Sequence, residues 1–527
     1  MPGCSWMTHW RIPITGAEGE SRRNVCETLR PKDSDICSRS IKGLVSLCVN
    51  LLCKLQPRGY IFPGLYYLQE KRSKKMEFIE KVVAVVNTVL WDYALLVLLV
   101  GTGVFYTFKL KFIQVRKFGE GMKLLFGNFS LHGKDKDGQK GLSSFQALTT
   151  AIAAQVGTGN IAGAATAIAA GGAGAIFWMW LAAFFGMATI YGEAVMAQVT
   201  RKEENGKYVG GPIYYIKHVF KGKFGTFLST FFSVAIILAL GFMGNMVQSN
   251  SIGASFKNAF GVDPRIVGVF VAIVAGVIFI GGIKRIARFT EKVVPIMALL
   301  YIVGSIIILA MNPAGLVQAF KDIFVGAFAP QAVVGGAIGV TVQKAMRYGV
   351  ARGLFSNEAG MGSTPHAHAT AEVKHPSEQG IIAMMGVFID TFVILTMTAL
   401  VILSTGALGS GLTGSELAQT AFSADFGNIG NIFIAICMLF FAFTTIVGWY
   451  YFGEVNVRAL FGNKAVKLYA VIVLAFVLVG SNLKVDLVWN MSDMFNGLMV
   501  LPNLIALLPC VGIVAKKTKE YESGMYK

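Results

Sequence analysis

Long apolar stretches recur along the chain from about residue 87 onward, and short polar segments that carry the charges separate them. Most are about 20 residues long, enough for a helix to cross the roughly 30 Å hydrocarbon core of a bilayer. The pattern predicts an all-α polytopic membrane protein. Eleven transmembrane spans are predicted, at about 87–108, 145–170, 174–199, 226–248, 266–283, 293–311, 331–350, 380–404, 429–452, 466–481 and 490–514.

Composition supports this class, since 54% of the residues are hydrophobic and 14% are charged, whereas soluble domains carry roughly 25% charge. The 60 glycines fit close helix packing and helix breaks, because they lie inside the apolar stretches. The formal net charge is +18, but the basic residues form short clusters between the spans. That distribution is typical of topology signals, so we predict a lipid bilayer and no nucleic acid as partner.

Residues 1–75 do not share this pattern, since they are polar and hold thirteen Lys and Arg residues. Their most apolar segment, "GLVSLCVNLLCKL", is too short and too polar for a confident span, and no clean signal-peptide cleavage site follows it. Two interpretations remain, a mis-called start upstream of Met76, which we favour, or a disordered cytoplasmic tail. The predicted organisation is therefore a non-conforming extension, a transporter domain over 76–515 and a cytoplasmic tail over 516–527.

The distribution of basic residues predicts the orientation of the chain. With eleven spans, the loops on one side hold 29 Lys and Arg residues and those on the other side hold four. Because positive residues favour the cytoplasmic side, we predict a cytoplasmic C-terminus and an N-terminus outside the cell membrane.

The second span contains "QVGTGNIAGAA", in which three glycines accompany a threonine and an asparagine. Glycine costs about 1 kcal/mol relative to alanine inside a helix, so the pattern predicts unwinding around Gly157–Asn160. Unwound backbone at membrane depth can coordinate a cation through carbonyl oxygens and a carboxylate through N–H groups. The alternative is a tight small-residue packing interface, whose spacing Gly159 and Gly163 fit.

The seventh span is also interrupted by glycines, at Gly335, Gly336 and Gly339. Without the first span, the other ten divide into spans 2–6 and 7–11, and each half then begins with an interrupted helix. Five is odd, so the two halves have opposite orientations. Paired interruptions in inverted repeats indicate the midplane site of a transporter.

Four motifs, "AIAAQVGTGNIAGAATAI", "GGPIYYI", "RGLFSNEAGMGSTPHAHA" and "FAFTTIVGWYYFGE", resemble the alanine or glycine:cation symporter family. The resemblance covers roughly residues 76–515. It implies a leucine-transporter-type fold of five plus five inverted repeats with one extra N-terminal helix. It also implies sodium-coupled import of alanine and glycine by alternating access, with Na⁺ as coupling ion and no cofactor or enzymatic activity.

The resemblance also implies site residues. The amides of Thr158 and Gly159 would meet the substrate carboxylate, and Asn160 would be a polar ligand of the ion or substrate. For sodium, the implied ligands are two backbone carbonyls and two hydroxyls, from Ala153, Val156, Thr444 and Thr445. The implied side-chain pocket is lined by Gly241, Phe242, Met243 and Trp449, which would leave room only for a very small side chain. For Trp449, packing within the bundle or at the interface is the alternative.

Several other polar residues lie within or near the spans. For Glu193 we predict a structural ion pair with Arg201 or Lys202, and for Asp390 a buried pair with a basic residue, with a gating role as the alternative. Gln248 and Asn250 either belong to the extracellular path or face water. His366 and His368 are interpreted as residues of a cytoplasmic loop, because a lone H-x-H is weak evidence of a metal site.

Other functions were weighed against sodium symport. Proton-coupled transport would need a carboxylate near the site, for which Asp390 and Glu193 are the candidates. A non-transporting amino-acid sensor would usually add a signalling domain, but only about a dozen residues follow the last span. The sequence has no Walker loop, so ATP-driven transport is not predicted.

Overall fold

A computed structural model describes residues 78, 80–127, 141–204, 206–329, 341–483 and 485–525, with the side chains of 485–487 excepted. The predicted extension over 1–75 lies outside the described residues. So do Gly335, Gly336 and Gly339, on which the predicted interruption of the seventh span rested.

The described residues of the first part of the chain are mostly α-helical. They are α1 (Leu95–Lys109), α2 (Ile113–Arg116), α3 (Phe118–Gly127), α4 (Ser144–Gln155), α5 (Ala164–Gly171), α6 (Ala175–Thr200), α7 (Pro212–Val219), α8 (Gly222–Ile236), α9 (Asn245–Phe260), α10 (Pro264–Ile280) and α11 (Gly282–Met311). Between α6 and α7 an antiparallel hairpin is formed by β1 (Lys202–Glu204) and β2 (Lys207–Val209).

The second part continues in the same way. Its α-helices are α12 (Pro313–Phe328), α13 (Val342–Asn357), α14 (Pro365–His368), α15 (Pro376–Val387), α16 (Thr396–Ser404), α17 (Gly414–Phe426), α18 (Asn428–Phe461), α19 (Asn463–Gly480) and α20 (Val485–Glu522). Wider π-helical turns lie at Thr88–Ala94, Gly159–Gly163, Ile237–Gly244 and Phe388–Leu395, and a 3₁₀ turn lies at Ala407–Ser410.

Eight helices of the described chain are long and apolar enough to cross a membrane. Three predicted spans are not among them, for different reasons. The fifth is the 17-residue helix α10, the second is broken into two short helices, and part of the seventh lies outside the described residues. The multi-pass helical architecture is therefore observed, while the number of eleven spans and the inverted repeat remain predictions.

The interruption of the second span is present in the structure. Helix α4 begins with a capping box, in which Ser143 and Gln146 bond each other's backbone N–H groups. It ends at Gln155, and Val156 has non-helical dihedrals (φ −78°, ψ 87°). The helical conformation resumes at Thr158 and continues through a π-helical turn into α5. The break is thus narrower than predicted, and Asn160 lies in the first turn of the second half-helix.

A second interruption follows α13, about twenty residues beyond the predicted one. Helix α13 ends at Asn357, and Glu358, Gly360 and Gly362 all have positive φ (58°, 90° and 77°). Two glycines in this conformation let the chain turn sharply without steric strain. The prediction missed this segment because it sought the glycines at the start of the span.

The position of α13 changes part of the count of Lys and Arg residues on the two sides of the membrane. Arg347 and Arg352 line a cavity together with residues of the predicted outer loops, such as Glu416 and Trp489. These arginines, with Lys344 at the start of the same helix, were assigned to the cytoplasmic side. Moving the three residues leaves the imbalance at 26 to seven, so the predicted orientation is unchanged.

Glu193 holds the second interruption in place, rather than forming the predicted ion pair. It is fully buried in α6 and accepts hydrogen bonds from the backbone N–H groups of Gly360 (3.0 Å) and Gly362 (2.9 Å). The amide of Asn503 in α20 donates to the same carboxylate at 2.6 Å. Arg201 instead donates to the carbonyl of Ala371. One carboxylate thus satisfies backbone donors that the irregular turn leaves free.

The C-terminal segment is a continuation of the last span. Helix α20 extends to Glu522, so no structural boundary separates the predicted tail at residue 516. Its end is held by an ion pair between Glu522 and Arg116 at 2.8 Å and by a hydrogen bond from Tyr521 to Glu120. Burial alone would raise the pKa of Glu120, but hydrogen bonds from Lys117 and Tyr521 lower it overall.

We predict that Glu193→Ala destabilises the fold. The substitution leaves two buried N–H groups and the Asn503 amide without their acceptor, at a cost of about 1–3 kcal/mol for each unsatisfied group. The apparent melting temperature of the detergent-purified protein should fall clearly. The control is Glu416→Ala, which removes an exposed carboxylate and should leave it unchanged. Equal melting of both variants would contradict this role of Glu193.

Candidate substrate and cation site

The two interrupted helices meet at Gly159. A Cβ atom on residue 159 would lie 3.0 Å from the Cα of Ser356, closer than side-chain carbons normally approach. Ser356 is two residues before the second interruption. The glycine therefore lets the half-helix after the first break press directly against the end of α13.

Thr158 is the first residue after the break. Its backbone N–H donates to Oε1 of Gln248 in α9 at 3.1 Å. The Thr158 hydroxyl and the Gln248 Nε2 are buried and have no hydrogen-bond partner among the described residues. Gln248 was predicted either to face water or to line the outer path, but it is 1% exposed and belongs to this site. Donors at the N-terminus of a half-helix suit a carboxylate ligand.

Asn160 connects the break to a third element. Its Oδ1 accepts the N–H of Gly157 at 3.0 Å, and its Nδ2 donates to the Asp390 carboxylate at 2.6 Å. The hydroxyl of Thr398 donates to the Asn160 carbonyl at 2.7 Å. The asparagine is fully buried, and its side chain joins Gly157 at the break to Asp390.

Asp390 has neutral partners instead of the predicted basic one. Besides Asn160, the Ser356 hydroxyl bonds both carboxylate oxygens at 3.0 Å, and the Thr391 hydroxyl bonds one at 2.9 Å. A carboxylate buried without a cation is costly unless hydrogen bonds or an ion compensate it. The partners come from distant parts of the sequence, and only the fold brings them together.

Thr445 in α18 lies beside the carbonyl oxygens at the end of α4. Its hydroxyl is 3.0 Å from the carbonyl oxygen of Ala153, 3.3 Å from that of Ala154 and 3.5 Å from that of Val156. It also bonds the carbonyl of Phe441 at 3.0 Å in its own helix. The structure thus brings three of the four predicted sodium ligands together. Uncharged hard oxygens at this separation suit a hard cation.

Thr444, the fourth predicted ligand, points in a different direction. Its hydroxyl bonds the carbonyls of Phe440 and Phe441 at 2.9 Å and lies 3.6 Å from the sulfur of Met297 in α11. The structure therefore does not bring this hydroxyl to the carbonyls of Ala153 and Val156.

Trp449 is held from three sides, one turn after Thr445. Its indole N–H donates to Glu358 at 2.5 Å, and its ring contacts Phe355 edge-to-face with centroids 5.7 Å apart. A Cβ atom on Gly244 would lie 2.5 Å from Cζ3 of the indole. Since Gly244 is one turn before Gln248 in the chain, the indole lies close to the break.

Glu358 was missed by the sequence analysis. It is fully buried at the second interruption and bonds both Trp449 and the Ser363 hydroxyl, the latter at 2.5 Å. A carboxylate inside the glycine-containing segment "NEAGMGS" was the available signal.

Gly241, Phe242 and Met243 lie in the π-helical turn before Gly244. Phe242 is stacked on Phe476 of α19 at 4.7 Å, and Gly241 packs against Tyr469 of the same helix. Met243 is partly buried. The contacts of Gly241 and Phe242 are therefore with α19, and among the described residues no hydrogen bond or ring contact joins these three residues to Thr158 or Asn160.

A cavity of about 530 Å³ opens on the side of the predicted outer loops. Ala162 and Thr166 of the second half-helix line it, and an ion pair between Arg352 and Asp493 (2.8 Å) lies in its wall. Asn250 also lines it, with its amide bonded to the Gly480 and Leu483 carbonyls at 2.9 Å. The cavity therefore leads toward the broken helix from one side.

On the other side, the segment after the second interruption is packed and buried. His366 and His368, predicted as loop residues, are at most 1% exposed. His366 bonds Asn456 at 2.8 Å and His368 bonds Gln379 at 2.8 Å. Tyr215 of α7 is also buried and donates a hydrogen bond to Asn503. No group of three metal-ligating side chains occurs in the described chain.

Comparisons with known proteins agree with this arrangement. Residues 76–527 match the sodium:alanine symporter family. The chain is 43% identical to the sodium/alanine symporter AgcS of Methanococcus maripaludis over 455 residues, which cover 85% of this chain and 98% of that protein. It is 41% identical to the probable sodium/glutamine symporter GlnT of Bacillus subtilis over 449 residues, covering 84% and 91%.

A solved structure supports the fold. MhsT in complex with L-phenylalanine aligns with a TM-score of 0.50 at 14% identity, over 71% of this chain and 98% of that one. At this identity the similarity concerns the fold alone, and it agrees with the leucine-transporter-type architecture that the motifs implied. The extent and identity of the sequence matches go further: the chain is a multi-pass membrane protein that belongs to the sodium:alanine symporter family.

Proposed function

We propose that the protein is a sodium-coupled symporter that imports small neutral amino acids, alanine and glycine, across the cell membrane. The observation that carries this proposal is the break at Val156 and Gly157. It exposes carbonyl oxygens toward Thr445 on one side and the Thr158 amide toward Gln248 on the other. One interruption thereby offers an ion and a carboxylate adjacent places.

Sodium would bind between the carbonyl oxygens of Ala153 and Val156 and the hydroxyl of Thr445. Oxygens separated by 3.0–3.5 Å can share one ion at the bond lengths of about 2.3–2.6 Å found for hard cations of similar size. The hydroxyl rotates its proton away when the ion binds. Thr444 remains a predicted fourth ligand, although its hydroxyl faces Met297 here.

The substrate carboxylate would bind at Thr158 and Gly159, where the second half-helix begins. The positive end of the helix dipole favours an anion there. The buried Thr158 hydroxyl and Gln248 Nε2, which lack partners in the described chain, supply two more donors. Asn160 holds the geometry of the break through its bonds to Gly157 and Asp390.

The substrate side chain would face Trp449. Because Glu358, Phe355 and Gly244 fix the indole, the wall cannot retract to admit a larger group. This favours alanine and glycine, and we propose that Phe242, Gly241 and Met243 complete the pocket in the state that closes around the substrate. The relatives' names support an amino-acid substrate. One relative is named a sodium/alanine symporter, and another is named a probable sodium/glutamine symporter.

Transport would proceed by alternating access. The cavity beside the second half-helix gives one route to the site, and the buried segment around His366 closes the other. Rocking of the two halves would close the first route and open the second.

The proposed function is tested with purified protein in proteoliposomes. An inward sodium gradient at constant pH should drive accumulation of labelled alanine at least tenfold above the level without sodium. Unlabelled glycine should compete, and leucine should not. Alanine uptake that does not depend on the sodium gradient would overturn the proposal.

Proton coupling is the second candidate, and one contact favours it. Asp390 is a buried carboxylate bonded directly to Asn160, so a change in its protonation would alter the break itself. Under this mechanism, a pH gradient without sodium should drive alanine uptake, and Asp390→Asn should abolish that drive. In the sodium mechanism, a pH gradient alone drives no uptake in the wild type.

We predict unequal effects of two neighbouring substitutions on sodium affinity. Thr445→Val removes the hydroxyl beside the Ala153 and Val156 carbonyls, and the sodium concentration for half-maximal uptake should rise at least tenfold. Thr444→Val is the matched comparison: the Thr444 hydroxyl faces Met297 and not these carbonyls, so this variant should shift the value less than threefold. Sodium titration of alanine uptake measures both. The reverse order would show that Thr444 is the principal hydroxyl ligand.

We also predict that Trp449 controls substrate size. Trp449→Ala should lower alanine uptake and make uptake of a larger neutral amino acid, such as leucine, measurable, because the wall of the pocket is removed. Trp449→Phe retains a ring but loses the hydrogen bond to Glu358, so it should transport leucine less well than Trp449→Ala does. If both variants keep the wild-type preference, the indole does not line the pocket.

A further inference from the structure

Glu291 in α11 is a buried carboxylate that the proposed site does not use. Its Oε2 accepts a hydrogen bond from Nε2 of Gln146 at 3.1 Å. Its Oε1 has no hydrogen-bond partner in the part of the chain that the structure describes. The residue is 3% exposed, whereas the basic residues nearest in sequence, Arg288 and Lys292, are exposed. A buried oxygen of this kind requires an explanation.

The surroundings of Glu291 are rich in neutral oxygens. The hydroxyls of Thr150 in α4 and Thr290 in α11 lie 3.3 Å apart. Thr150 also bonds the carbonyl of Gln146 at 2.7 Å. The Gln146 side chain bonds Glu291 and the Gln146 backbone carbonyl accepts the Thr150 hydroxyl, so Glu291, Gln146, Thr150 and Thr290 form one hydrogen-bonded series between α4 and α11, which we call the lower cluster.

The lower cluster lies on the same face of α4 as the proposed sodium site. Gln146, Thr150 and Ala153 are spaced by four and three residues, which places them along one helix face. Seven residues separate Gln146 from Ala153, a rise of about 10 Å. The end of α4 at Gln146 is the one that leads to the predicted cytoplasmic side.

The facing helix continues the same line. Met297 of α11 contacts the hydroxyl of Thr444, and Thr290 and Glu291 lie about two turns before it on that helix. Helices α4, α11 and α18 all pack against one another here. The lower cluster therefore lies in the contact region of these three helices, next to the residues proposed to hold sodium and on the predicted cytoplasmic side of them.

We propose that Glu291, with the hydroxyls of Thr150 and Thr290, forms a second station for a monovalent cation on the cytoplasmic side of the transport site. A carboxylate oxygen and hydroxyl oxygens are hard ligands that suit sodium. The cation would compensate the buried negative charge, which is otherwise unfavourable. This inference rests on the proposed sodium symport, since the ion at the station is the one that leaves the first site.

A purely structural role would not need the charge. The bond to Gln146 uses one oxygen as acceptor, and the carbonyl of a glutamine could accept it equally well. The station, by contrast, depends on the negative charge and on the free Oε1. Glu291→Gln therefore separates the two roles, and Glu291→Ala would not.

The station has a kinetic consequence. Sodium released from the first site would pause at Glu291, and sodium from the cytoplasm would reach the first site through it. Internal sodium should therefore inhibit uptake by rebinding, and the strength of this inhibition should depend on Glu291 more than the response to external sodium does.

The experiment measures alanine uptake into right-side-out membrane vesicles loaded with 0–100 mM sodium, at fixed external sodium. Glu291→Gln should raise the internal sodium concentration that halves uptake five- to tenfold. The shift in the external sodium concentration for half-maximal uptake should be at least threefold smaller. Thr290→Val should shift the internal value in the same direction, and it serves as the second variant if Glu291→Gln folds poorly. Asp425→Asn, an exposed carboxylate in α17, should change neither value.

The outcomes are distinguishable. If wild-type uptake does not depend on external sodium, the proposed function fails and the station fails with it. If wild-type uptake is sodium-driven but Glu291→Gln and Thr290→Val are inhibited by internal sodium as strongly as the wild type, only the station is overturned. Equal shifts of the internal and external values would assign Glu291 a structural role in holding α4.

Discussion

The structure depends on one constraint, that backbone N–H and C=O groups cannot remain unpaired inside a bilayer. The chain breaks a helix at Val156 and Gly157, and neighbouring side chains then satisfy the freed groups. Thr445 faces carbonyl oxygens, Gln248 accepts an amide, and Asn160 closes the turn. Packing holds these polar groups in the middle of the second span, and the same groups form the proposed binding site.

The second interruption is supported differently. There a single buried carboxylate, Glu193, accepts two backbone amides, and Glu358 links the turn to Trp449. Together with Asp390, these acids lie near the breaks and bond neutral donors. At the two breaks, buried carboxylates are thus held by neutral donors and not by ion pairs, although fully buried carboxylates are costly in isolation.

The sequence predicted the class of fold and the first break because both depend on local patterns. Apolar length predicts spans, and the cluster of glycines with Thr158 and Asn160 predicts unwinding. Partners that depend on tertiary contacts were not predictable in this way. Asp390 and Glu193 were given basic partners because charge is visible in a sequence, whereas the amides they bond become available only where the fold opens a helix. The break after α13 was not predicted, because a sequence does not show which glycines adopt a positive φ, and the prediction relied on the denser glycines at 335–339, which lie outside the described residues.

Helix α20 lines the cavity at one end and reaches the other side of the protein without interruption. Asp493 pairs with Arg352 in the cavity wall, and Glu522 pairs with Arg116. At 1.5 Å per residue the two acids are about 44 Å apart along the axis. The helix therefore connects the two faces, with Pro502 and Pro509 between the two acids. A tilt imposed at the cavity rim would reach the far end as a displacement unless the helix bends at these prolines, and a fluorophore there would report it.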